Sequence, residues 1–425
     1  MRDVMNRSWK IILALLITLT ASISGLCAEP DFTLGIFGNA NMDDTIDEND
    51  VAYVEDVIKG TNVATNLSDA NYDGKIDEND ITQIKAIIDG KEKELTVNIY
   101  TRPSMGSEDI TEVPVTIHKP IERIIPAVMY HVITMRALGL DAKKIAGVRN
   151  NIKEADEYFP EFNKLPTFAN GDYEAILSLN PDLVIVDTSK FDENAKNLPN
   201  TTIVAFDCWR PSTYVDEIRT LGYIFDKEEN AEEFIKFYKN VMDTIKERIE
   251  KIPDSDRSKV FFESWTPYNT GAKGSGYHEK VTMAGGNNIF ADLSDYPTVD
   301  PEEVMKRNPD IIIKYLKAQD DHVYYLGTNE SDLADARDEI MNRPELSQVD
   351  AVKNGRVYVT TGDIIGATRH FISIAYMAKW FYPELFKDLN PEAIHQEYLT
   401  RFQGLPDDFL ETHEGRFVYP PLNES

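Results

Sequence analysis

A helix-to-strand pattern occurs twice in this chain, and it limits the possible folds more than any other feature. Residues 174–186 read EAILSLNPD followed by LVIV, and residues 302–313 read EEVMKRNPD followed by III. Proline cannot continue a helix and moves the residue before it out of the helical region, so each helix ends at the Asn-Pro pair. The apolar, mostly β-branched run that follows is typical of a strand buried on both faces of a parallel sheet. The repeat therefore predicts two similar α/β lobes.

A glutamate opens each copy of the pattern, Glu174 in the first and Glu302 in the second. Asp172 and Asp300 are suitable N-cap residues, which places both glutamates in the first turn of a short helix. In an open α/β sheet, a helix that leads into a strand begins near the carboxyl edge of the strands, where such folds carry their sites. The helix dipole alone would explain either glutamate, but the matched pair favours a shared role at one rim.

Composition narrows the class of protein. A chain of 425 residues implies two or three domains. The formal net charge of −29 and the pI of 4.6 argue against a nucleic-acid partner and against an anionic membrane surface. The sequence contains only two cysteines, so no disulfide framework is expected.

The N-terminus, residues 1–28, is typical of an export signal. Basic residues precede an apolar run at 11–19 that is too short for a comfortable membrane span, and cleavage is expected after Ala28. The mature protein is therefore predicted to act at the outer face of the cytoplasmic membrane or on the cell surface. Cys27 leaves a lipid anchor open, although the bulky Leu26 does not suit that signal.

Residues 31–92 contain a second internal repeat, of acidic loops at 39–50 and 69–80. Oxygen-bearing side chains recur at loop positions 1, 3, 5, 9 and 12, and position 7 is expected to supply a backbone carbonyl, as in Ca²⁺-binding loops of the EF-hand type. The pattern predicts two calcium sites, with a solvated acidic turn region as the alternative. The residues at these positions are Asn39, Asn41, Asp43, Thr45, Asp47 and Asp50 in the first loop, and Asp69, Asn71, Asp73, Lys75, Asp77 and Asp80 in the second.

The two loops differ at position 6, where the chain turns sharply. Gly74 fills this position in the second loop and Asp44 in the first, so the first site is predicted to be the weaker. An amphipathic helical stretch follows each loop and ends at a glycine. This duplicated unit, over residues 35–91, resembles a dockerin. The resemblance implies a small all-α calcium module whose helices bind a cohesin, and a calcium-stabilised spacer without such a partner is the alternative.

From residue 94 onward, strand and helix patterns alternate. Residues 94–226 begin with a hairpin pattern and continue as a first α/β run, residues 227–253 carry an uninterrupted amphipathic helical pattern, and residues 254–425 form a second α/β run. The sequence predicts an α/β fold of two doubly wound lobes bridged by a long helix.

This larger part of the chain, residues 95–420, resembles the substrate-binding proteins of ABC importers for iron-siderophore, haem and cobalamin-type ligands. The resemblance implies a ligand cleft between the lobes. It also implies importer membrane subunits that dock onto one glutamate of each lobe, and Glu174 and Glu302 match those positions. The motifs that carry the resemblance are ERII at 122–125, ALG at 137–139, both copies of the Asn-Pro-Asp pattern, EIRTLG at 217–222 and AGGNNI at 284–289.

Residues that follow the ends of predicted strands are expected to line the cleft. Aromatic side chains suit a large planar or chelated ligand, and neighbouring arginines suit an anionic chelate. Packing between lobes and structural ion pairs are the alternatives, and the histidines lack the spacing of a metal-ligand set. The predicted cleft residues are Tyr130, His131, Trp209, Arg210, Trp265, Tyr268, Tyr277, His278, Arg369 and His370.

Three functions stay open at this point. The leading hypothesis is an extracytoplasmic binding protein that delivers a metal chelate to an ABC importer. An exported enzyme on a two-lobe α/β fold is disfavoured, because the sequence contains no nucleophile elbow, no Ser/His/Asp set and no zinc motif. A surface assembly component, placed on a scaffold by the dockerin-like module, is compatible with a role in transport.

Overall fold

The computed structural model describes residues 33–422 except 106, 108, 156, 318–326 and 413–415, and these residues belong to one compact unit. The predicted signal peptide at 1–28, with Cys27, lies outside them. Across the described residues, no helix combines the length and the apolar character needed to cross a membrane.

Helices and strands alternate along most of the chain, as predicted. The α-helices are α1 (Glu48–Ile58), α2 (Glu78–Ile88), α3 (Met129–Ala137), α4 (Tyr173–Ser178), α5 (Phe191–Asn197), α6 (Tyr214–Phe225), α7 (Glu228–Ile249), α8 (Gly276–Met283), α9 (Pro301–Arg307), α10 (Glu330–Met341), α11 (Asp350–Lys353), α12 (Gly362–Ile365), α13 (His370–Phe381), α14 (Pro391–Gln403) and α15 (Phe409–Thr412). The strands are β1 (Glu94–Thr101), β2 (Thr111–His118), β3 (Ile124–Pro126), β4 (Val148–Arg149), β5 (Thr167–Phe168), β6 (Leu183–Val186), β7 (Thr202–Ala205), β8 (Lys259–Glu263), β9 (Asn287–Asn288), β10 (Ile311–Leu316), β11 (Val357–Thr361) and β12 (Val418–Tyr419).

The N-terminal part consists of two loop-helix units with the same local design. Asp47 caps α1 and Asp77 caps α2, and a capping box completes each helix start. Val54 and Ile84 occupy equivalent positions in the two helices, and both are fully buried. The amphipathic helix predicted after each loop is therefore observed.

This N-terminal part packs directly against the first lobe. The Asn98 N–H of β1 donates to the Gly35 carbonyl at 2.6 Å. On the other side, the Ile46 N–H in the first acidic loop donates to Tyr223 Oη of α6 at 2.9 Å. Apolar residues of α1 and α2 belong to the same hydrophobic cluster as the lobe residues.

The first lobe is built on a parallel sheet in the order β3-β6-β7, with the pair β4-β5 beside it. A bridge between Ile124 and Ile145 links the pair to the sheet. All of β6 is buried, as expected for a strand covered on both faces. The antiparallel hairpin of β1 and β2 packs against β7.

The second lobe has the sheet order β12-β11-β10-β8-β9, and its strands run parallel except for the antiparallel edge strand β12. Helix α7 leads from the first lobe to the second and packs against α6 and α13 through a buried face that includes Phe234, Tyr238 and Ile245. The helix predicted at 227–253 thus spans Glu228–Ile249, and Pro253 lies in the turn beyond it.

The repeated Asn-Pro-Asp segment has the same structural role in both lobes. Asn180 and Asn308 follow their helices in the left-handed conformation, with φ of 46° and 44°. Asp182 Oδ2 then accepts the N–H groups of Glu122 and Arg123, each at 2.9 Å, just before β3. In the second lobe, an oxygen of Asp310 accepts the N–H at the start of β8 at 2.7 Å. Each aspartate therefore fixes the beginning of the strand next to its own.

We expect Asp182→Ala and Asp310→Ala each to lower the free energy of unfolding by about 1–3 kcal/mol, because a carboxylate that accepts backbone N–H groups is lost. Denaturant unfolding of the purified variants measures this change. Asp243→Ala, which alters an exposed residue of α7, serves as the control. Equal losses in all three variants would contradict the assignment.

Candidate functional site

The two repeated glutamates occupy equivalent exposed positions. Glu174 and Glu302 are each the second residue of their helices, α4 and α9. Asp172 caps α4 by accepting the Ala175 N–H at 3.0 Å, and Asp300 caps α9 by accepting the Glu302 N–H at 2.8 Å. The predicted N-caps are confirmed.

Both helices begin at the carboxyl edge of the sheet in their own lobe. Tyr173, the first residue of α4, lines the same cavity as Asp187, which directly follows β6. In the second lobe, the Val299 N–H just before α9 donates to the carbonyl of Tyr268, in the loop that follows β8, at 2.9 Å. Each glutamate therefore lies near the carboxyl edge of the sheet in its lobe, which is where open α/β folds usually carry their sites.

A cavity in the first lobe gathers the carboxyl ends of its strands. Residues from the ends of four strands line this cavity, and two of the lining residues, Arg149 and Lys190, are basic. The lining includes Val128 after β3, Arg149 of β4, Asn170 after β5, and Asp187 and Lys190 after β6.

Asp187 organises this side of the site. Its Oδ2 accepts hydrogen bonds from Tyr130 Oη at 2.7 Å and from Trp209 Nε1 at 3.4 Å, and its Oδ1 accepts from Ser189 Oγ at 2.6 Å. Burial alone would raise the pKa of the Asp187 carboxyl, but the hydrogen bonds from Ser189 and Tyr130 outweigh burial and lower it. The ionised carboxylate holds two of the predicted cleft residues in place.

The loop after β7 presents Trp209 and Arg210. Arg210 is almost fully buried, its guanidinium stacks over the Trp209 ring at 4.4 Å from the centroid, and its Nε pairs with Asp207 at 2.9 Å. Arg102 also pairs with Asp207, at 3.3 Å. Burial and the nearby Asp187 charge raise the pKa of Asp207. This network fixes the orientation of the Trp209-Arg210 pair.

The second lobe contributes an aromatic cluster around Tyr277, in the first turn of α8. Tyr277 stacks on Phe262 at a centroid distance of 4.7 Å, and Tyr315 and Tyr296 lie at 5.6 and 5.9 Å. Trp265 packs on Tyr296 at 4.8 Å and stays 44% exposed. Two predicted cleft residues, Tyr277 and Trp265, thus belong to one aromatic surface.

The two lobes meet between Trp209-Arg210 and the start of α8. A Cβ atom at Gly276 would lie 2.7 Å from the Trp209 ring, so only glycine allows this approach. Arg210 Nη1 lies 3.7 Å from Glu279 Oε1, and Lys280 Nζ lies 5.9 Å from the Trp209 ring centroid. The contact brings predicted cleft residues from both lobes to one place.

Three predicted cleft residues lie in the packed interior of the structure. His131 is buried and its Nε2 bonds the Phe206 carbonyl at 2.8 Å. Arg369 is fully buried, and His370 contacts Tyr238 Oη of the bridging helix at 3.0 Å. His131 lies in the first turn of α3, and His370 begins α13 directly after Arg369. Helix α12 and a short turn separate Arg369 and His370 from the end of β11. Helices α3 and α13 pack against neighbouring helices, so these side chains are enclosed.

Tyr268 and His278 have partners within the second lobe. Tyr268 Oη donates to Glu345 at 2.5 Å, and its N–H donates to the buried Glu263 at 2.9 Å. His278 Nδ1 lies 3.3 Å from Asn288 Nδ2. These contacts make Tyr268 and His278 supports of the lobe 2 loops rather than parts of the aromatic surface.

Several residues of the site were not selected from the sequence. Asp187 directly follows β6, so the same strand-end rule would have found it. Arg149 is in a strand too short to be recognised as a pattern. Lys280 lies inside α8, and no sequence signal shows that a lysine there is buried.

In both acidic loops, the aspartate at position 12 is buried and closes the loop. Asp50 accepts the N–H groups of Asn41 and Asp47 at 3.0 and 2.9 Å. Asp80 accepts the equivalent N–H groups of its own loop at 3.2 and 2.8 Å. Burial raises the pKa of both carboxyls. The two loops therefore share one internal geometry.

The first loop also contains a buried oxygen that suits a hard cation. Asn39, at position 1, is fully buried, and its Oδ1 has no hydrogen-bond partner in the part of the chain that the structure describes. In that same part, no group of three or more His, Cys, Asp or Glu residues is placed to hold a metal ion. The loop pattern relies on Asn, Thr and carbonyl oxygens as well, so the residues present fit Ca²⁺.

The two acidic loops differ in backbone conformation and in contacts at position 6. Gly74 adopts a φ of 85°, whereas Asp44 is not among the residues with positive φ. The Asp44 carboxylate instead pairs with Arg219 of α6 at 3.0 Å. The residue that departs from the loop pattern thus contacts the first lobe.

Two α/β lobes bridged by a long helix, with strand-end residues meeting between them, define a class of two-lobed binding proteins. Residues 130–364, more than half of the chain, match the periplasmic binding protein family. The chain belongs to this family.

Curated relatives are similar over much of their length. An uncharacterised ABC transporter substrate-binding lipoprotein, YvrC of Bacillus subtilis, is 26% identical over 66% of this chain and 86% of its own. The vitamin B12-binding protein of Salmonella paratyphi A is 26% identical over 44% of this chain and 73% of its own. The Fe(3+)-citrate-binding protein YfmC of Bacillus subtilis is 25% identical over 47% of this chain and 59% of its own.

A solved structure supports the fold. The TroA-like periplasmic binding protein FepB from Veillonella parvula superposes with a TM-score of 0.58 over 72% of this chain and 96% of its own, at 24% identity. At that identity the likeness concerns the two-lobed fold alone, and it confirms the predicted α/β architecture.

Proposed function

We propose that this protein is an extracytoplasmic substrate-binding protein that delivers a metal chelate to an ABC importer. The main support is the contact between the lobes, where Trp209 and Arg210 of the first lobe lie beside the aromatic cluster around Tyr277 of the second. Aromatic walls with a few convergent charges suit a chelated ligand. Relatives named for vitamin B12, for ferric citrate and for ABC transport support this class, and their names describe binding proteins rather than enzymes.

Ligand titration tests this proposal directly. Trp209 and Trp265 lie at the site, so a bound chelate should change the intrinsic fluorescence. We expect one member of a panel of ferric siderophore, ferric citrate, haem and cobalamin to bind with a Kd of about 1 μM or tighter. The metal-free chelators are the controls. A folded protein that binds no member of the panel would contradict the proposal.

Trp209 should contribute strongly to affinity. We expect Trp209→Ala to weaken binding of the panel ligand by about tenfold or more, because a buried aromatic contact is lost. Isothermal titration calorimetry measures the change. Leu385→Ala, which alters an exposed apolar residue of the second lobe, is the control, and equal effects of the two variants would count against a cleft at Trp209.

Glu174 and Glu302 are proposed as the importer docking pair. Within the described residues, neither side chain makes an ion pair or a side-chain hydrogen bond, and both are exposed at the start of a helix. Such charges are available to basic residues of the membrane subunits. The family resemblance supports the same assignment.

The acidic loops are proposed to bind two calcium ions. Support comes from the oxygen pattern of both loops, from the buried Asp50 and Asp80, and from Asn39 Oδ1, which no described residue contacts through a hydrogen bond. Bound Ca²⁺ would supply positive charge to carboxylates that burial disfavours. The contact of the first loop with α6 would extend this stabilisation to the first lobe.

Position 6 should set the difference between the two calcium affinities. We expect Gly74→Asp to weaken the second site, because aspartate is strained at φ of 85°, and Asp44→Gly to strengthen the first. Calcium titration calorimetry measures the affinities of both sites in both variants. In each variant, the site that is not altered serves as the control. Unchanged affinities in both would refute the role of position 6.

A cohesin-bearing surface protein is the proposed partner of the module. Ile58 and Ile88 end their helices at equivalent positions and are 39% and 38% exposed. These two isoleucines would give a cohesin equivalent apolar contact points on the two helices. Calcium-dependent pull-down of a cohesin, lost in an Ile58→Asp and Ile88→Asp double variant, would support the partner, and no capture by the intact protein would exclude it.

A further inference from the structure

Lys280 is a buried lysine at the contact between the lobes. Its side chain is 2% exposed, yet within the described ranges its ammonium makes no hydrogen bond and no ion pair. Its neighbours are the ring of Trp209, with the centroid 5.9 Å from Nζ, and the ring of Tyr277 at 5.5 Å. Burial lowers the pKa of Lys280 to about 8.

Aromatic faces stabilise an ammonium only in part, and a buried charge normally needs an oxygen partner. The adjacent Glu279 attracts the Lys280 charge and partly offsets the effect of burial on the pKa of Lys280. Glu279 gives the ammonium no hydrogen bond in the described residues, since its Oε1 faces Arg210 and its Oε2 is buried without a hydrogen-bond partner there. Lys280 and Arg210 are thus two cations beside one loosely held carboxylate.

The side chain of Lys280 points towards the N-terminal turn of its own helix, α8. It folds back along α8, so that Nζ would lie 3.3 Å from a Cβ atom at Gly276, in the first helical turn. The N-terminal turn of a helix favours negative charge. Lys280, the start of α8 and Arg210 of the other lobe therefore converge beside the Trp209 ring.

We propose that Lys280, together with Arg210, forms a subsite for an anionic oxygen group of the ligand, such as a carboxylate of the chelate. The subsite rests on the proposed binding function and narrows it to ligands that carry free anionic oxygens. A ligand oxygen placed there would contact both lobes at once. An uncharged chelate would leave the buried ammonium without an oxygen that accepts its hydrogen bonds.

Two probes and two variants test the subsite. Ferric citrate carries free anionic oxygens, and ferrichrome is an uncharged ferric hydroxamate chelate. Lys280→Met removes the charge at similar length, and Lys280→Arg keeps it. Lys246→Met, which alters an exposed lysine of the bridging helix, is the matched control. Calorimetric titration gives each affinity, and thermal unfolding confirms that each variant folds.

We expect Lys280→Met to weaken ferric citrate binding by about tenfold or more and to leave any ferrichrome binding unchanged, while Lys280→Arg stays within about threefold of the natural protein. The unliganded Lys280→Met protein should also melt at a higher temperature, because a buried unpaired charge is removed.

Wild-type affinity for ferric citrate in Lys280→Met would overturn the subsite and leave the binding function intact. Equal weakening for both probes would overturn it as well, since that result marks a structural role. The subsite would also be overturned if the natural protein bound ferrichrome and did not bind ferric citrate. If the natural protein binds neither these chelates nor any other metal chelate, the proposed function falls and the subsite falls with it.

Discussion

Charge reversal of both rim glutamates, Glu174→Lys with Glu302→Lys, should reduce importer-dependent uptake to background and leave ligand affinity within about twofold of the natural protein. Removing one partner of a docked charge pair costs about 2–5 kcal/mol, and reversal adds repulsion at two places, so a loss of more than a hundredfold is expected. The glutamates are exposed at the starts of their helices, and neither is among the predicted cleft residues. Transport into membrane vesicles that contain the importer measures uptake, and calorimetry measures affinity.

The control for this experiment is another double reversal on the same chain. Glu229→Lys with Glu247→Lys changes two exposed glutamates of the bridging helix and produces the same net charge. Uptake should persist in this control. Normal uptake by the Glu174/Glu302 variant would refute the docking pair, and a joint loss of ligand binding would indicate damage to the cleft.

Removal of calcium should have the second large effect. A ligand present at 100 times its Kd stabilises the folded state by about 2.7 kcal/mol per site. We therefore expect chelation to lower the melting temperature by several degrees, and we expect calcium to restore it. The double variant Asp50→Ala and Asp80→Ala should lose this response, because each buried carboxylate closes its loop through two backbone N–H groups.

This prediction separates calcium binding from simple loop packing. Asp56→Ala with Asp89→Ala removes two exposed aspartates near the helix ends and should keep the calcium response. Identical melting of the natural protein in calcium and in chelator would refute the calcium sites. A response retained by the Asp50/Asp80 variant would place the ions elsewhere.

Much of the architecture followed from local rules. The Asn-Pro-Asp repeat predicted two helix ends and two buried strands because proline and β-branched residues act over a few positions. The same rules identified the N-caps at Asp172 and Asp300 and the long helix between the lobes. The fold then adds the reason for the repeated aspartate, since Asp182 and Asp310 each fix a neighbouring strand.

The structure places the predicted cleft residues in different surroundings. Three residues selected by the strand-end rule, Trp209, Arg210 and Tyr277, lie where the two lobes meet. The same rule selected His131 and His370, which are buried in the core, because the direction of a side chain in a first helical turn depends on which neighbours cover that helix. Tertiary packing decides this, and a single sequence carries no direct record of it.

Other contacts depend on residues far apart in the chain. In the sequence, Asp44 is only a departure from the calcium-loop pattern. The structure shows that it pairs with Arg219 of α6. In the sequence, Lys280 is indistinguishable from an exposed helix lysine, and only the structure shows that it lies beside Trp209 of the other lobe. Both cases concern charged residues whose partners, or lack of partners, are determined by the assembled lobes.

The most direct measurement is native mass spectrometry of the protein as exported by its own source, with the bound species identified. We expect one metal chelate with free anionic oxygens per protein chain, together with two calcium ions. An exported protein that carries no metal chelate, and that takes up none when incubated with the growth medium of its source, would refute the proposed role in chelate transport.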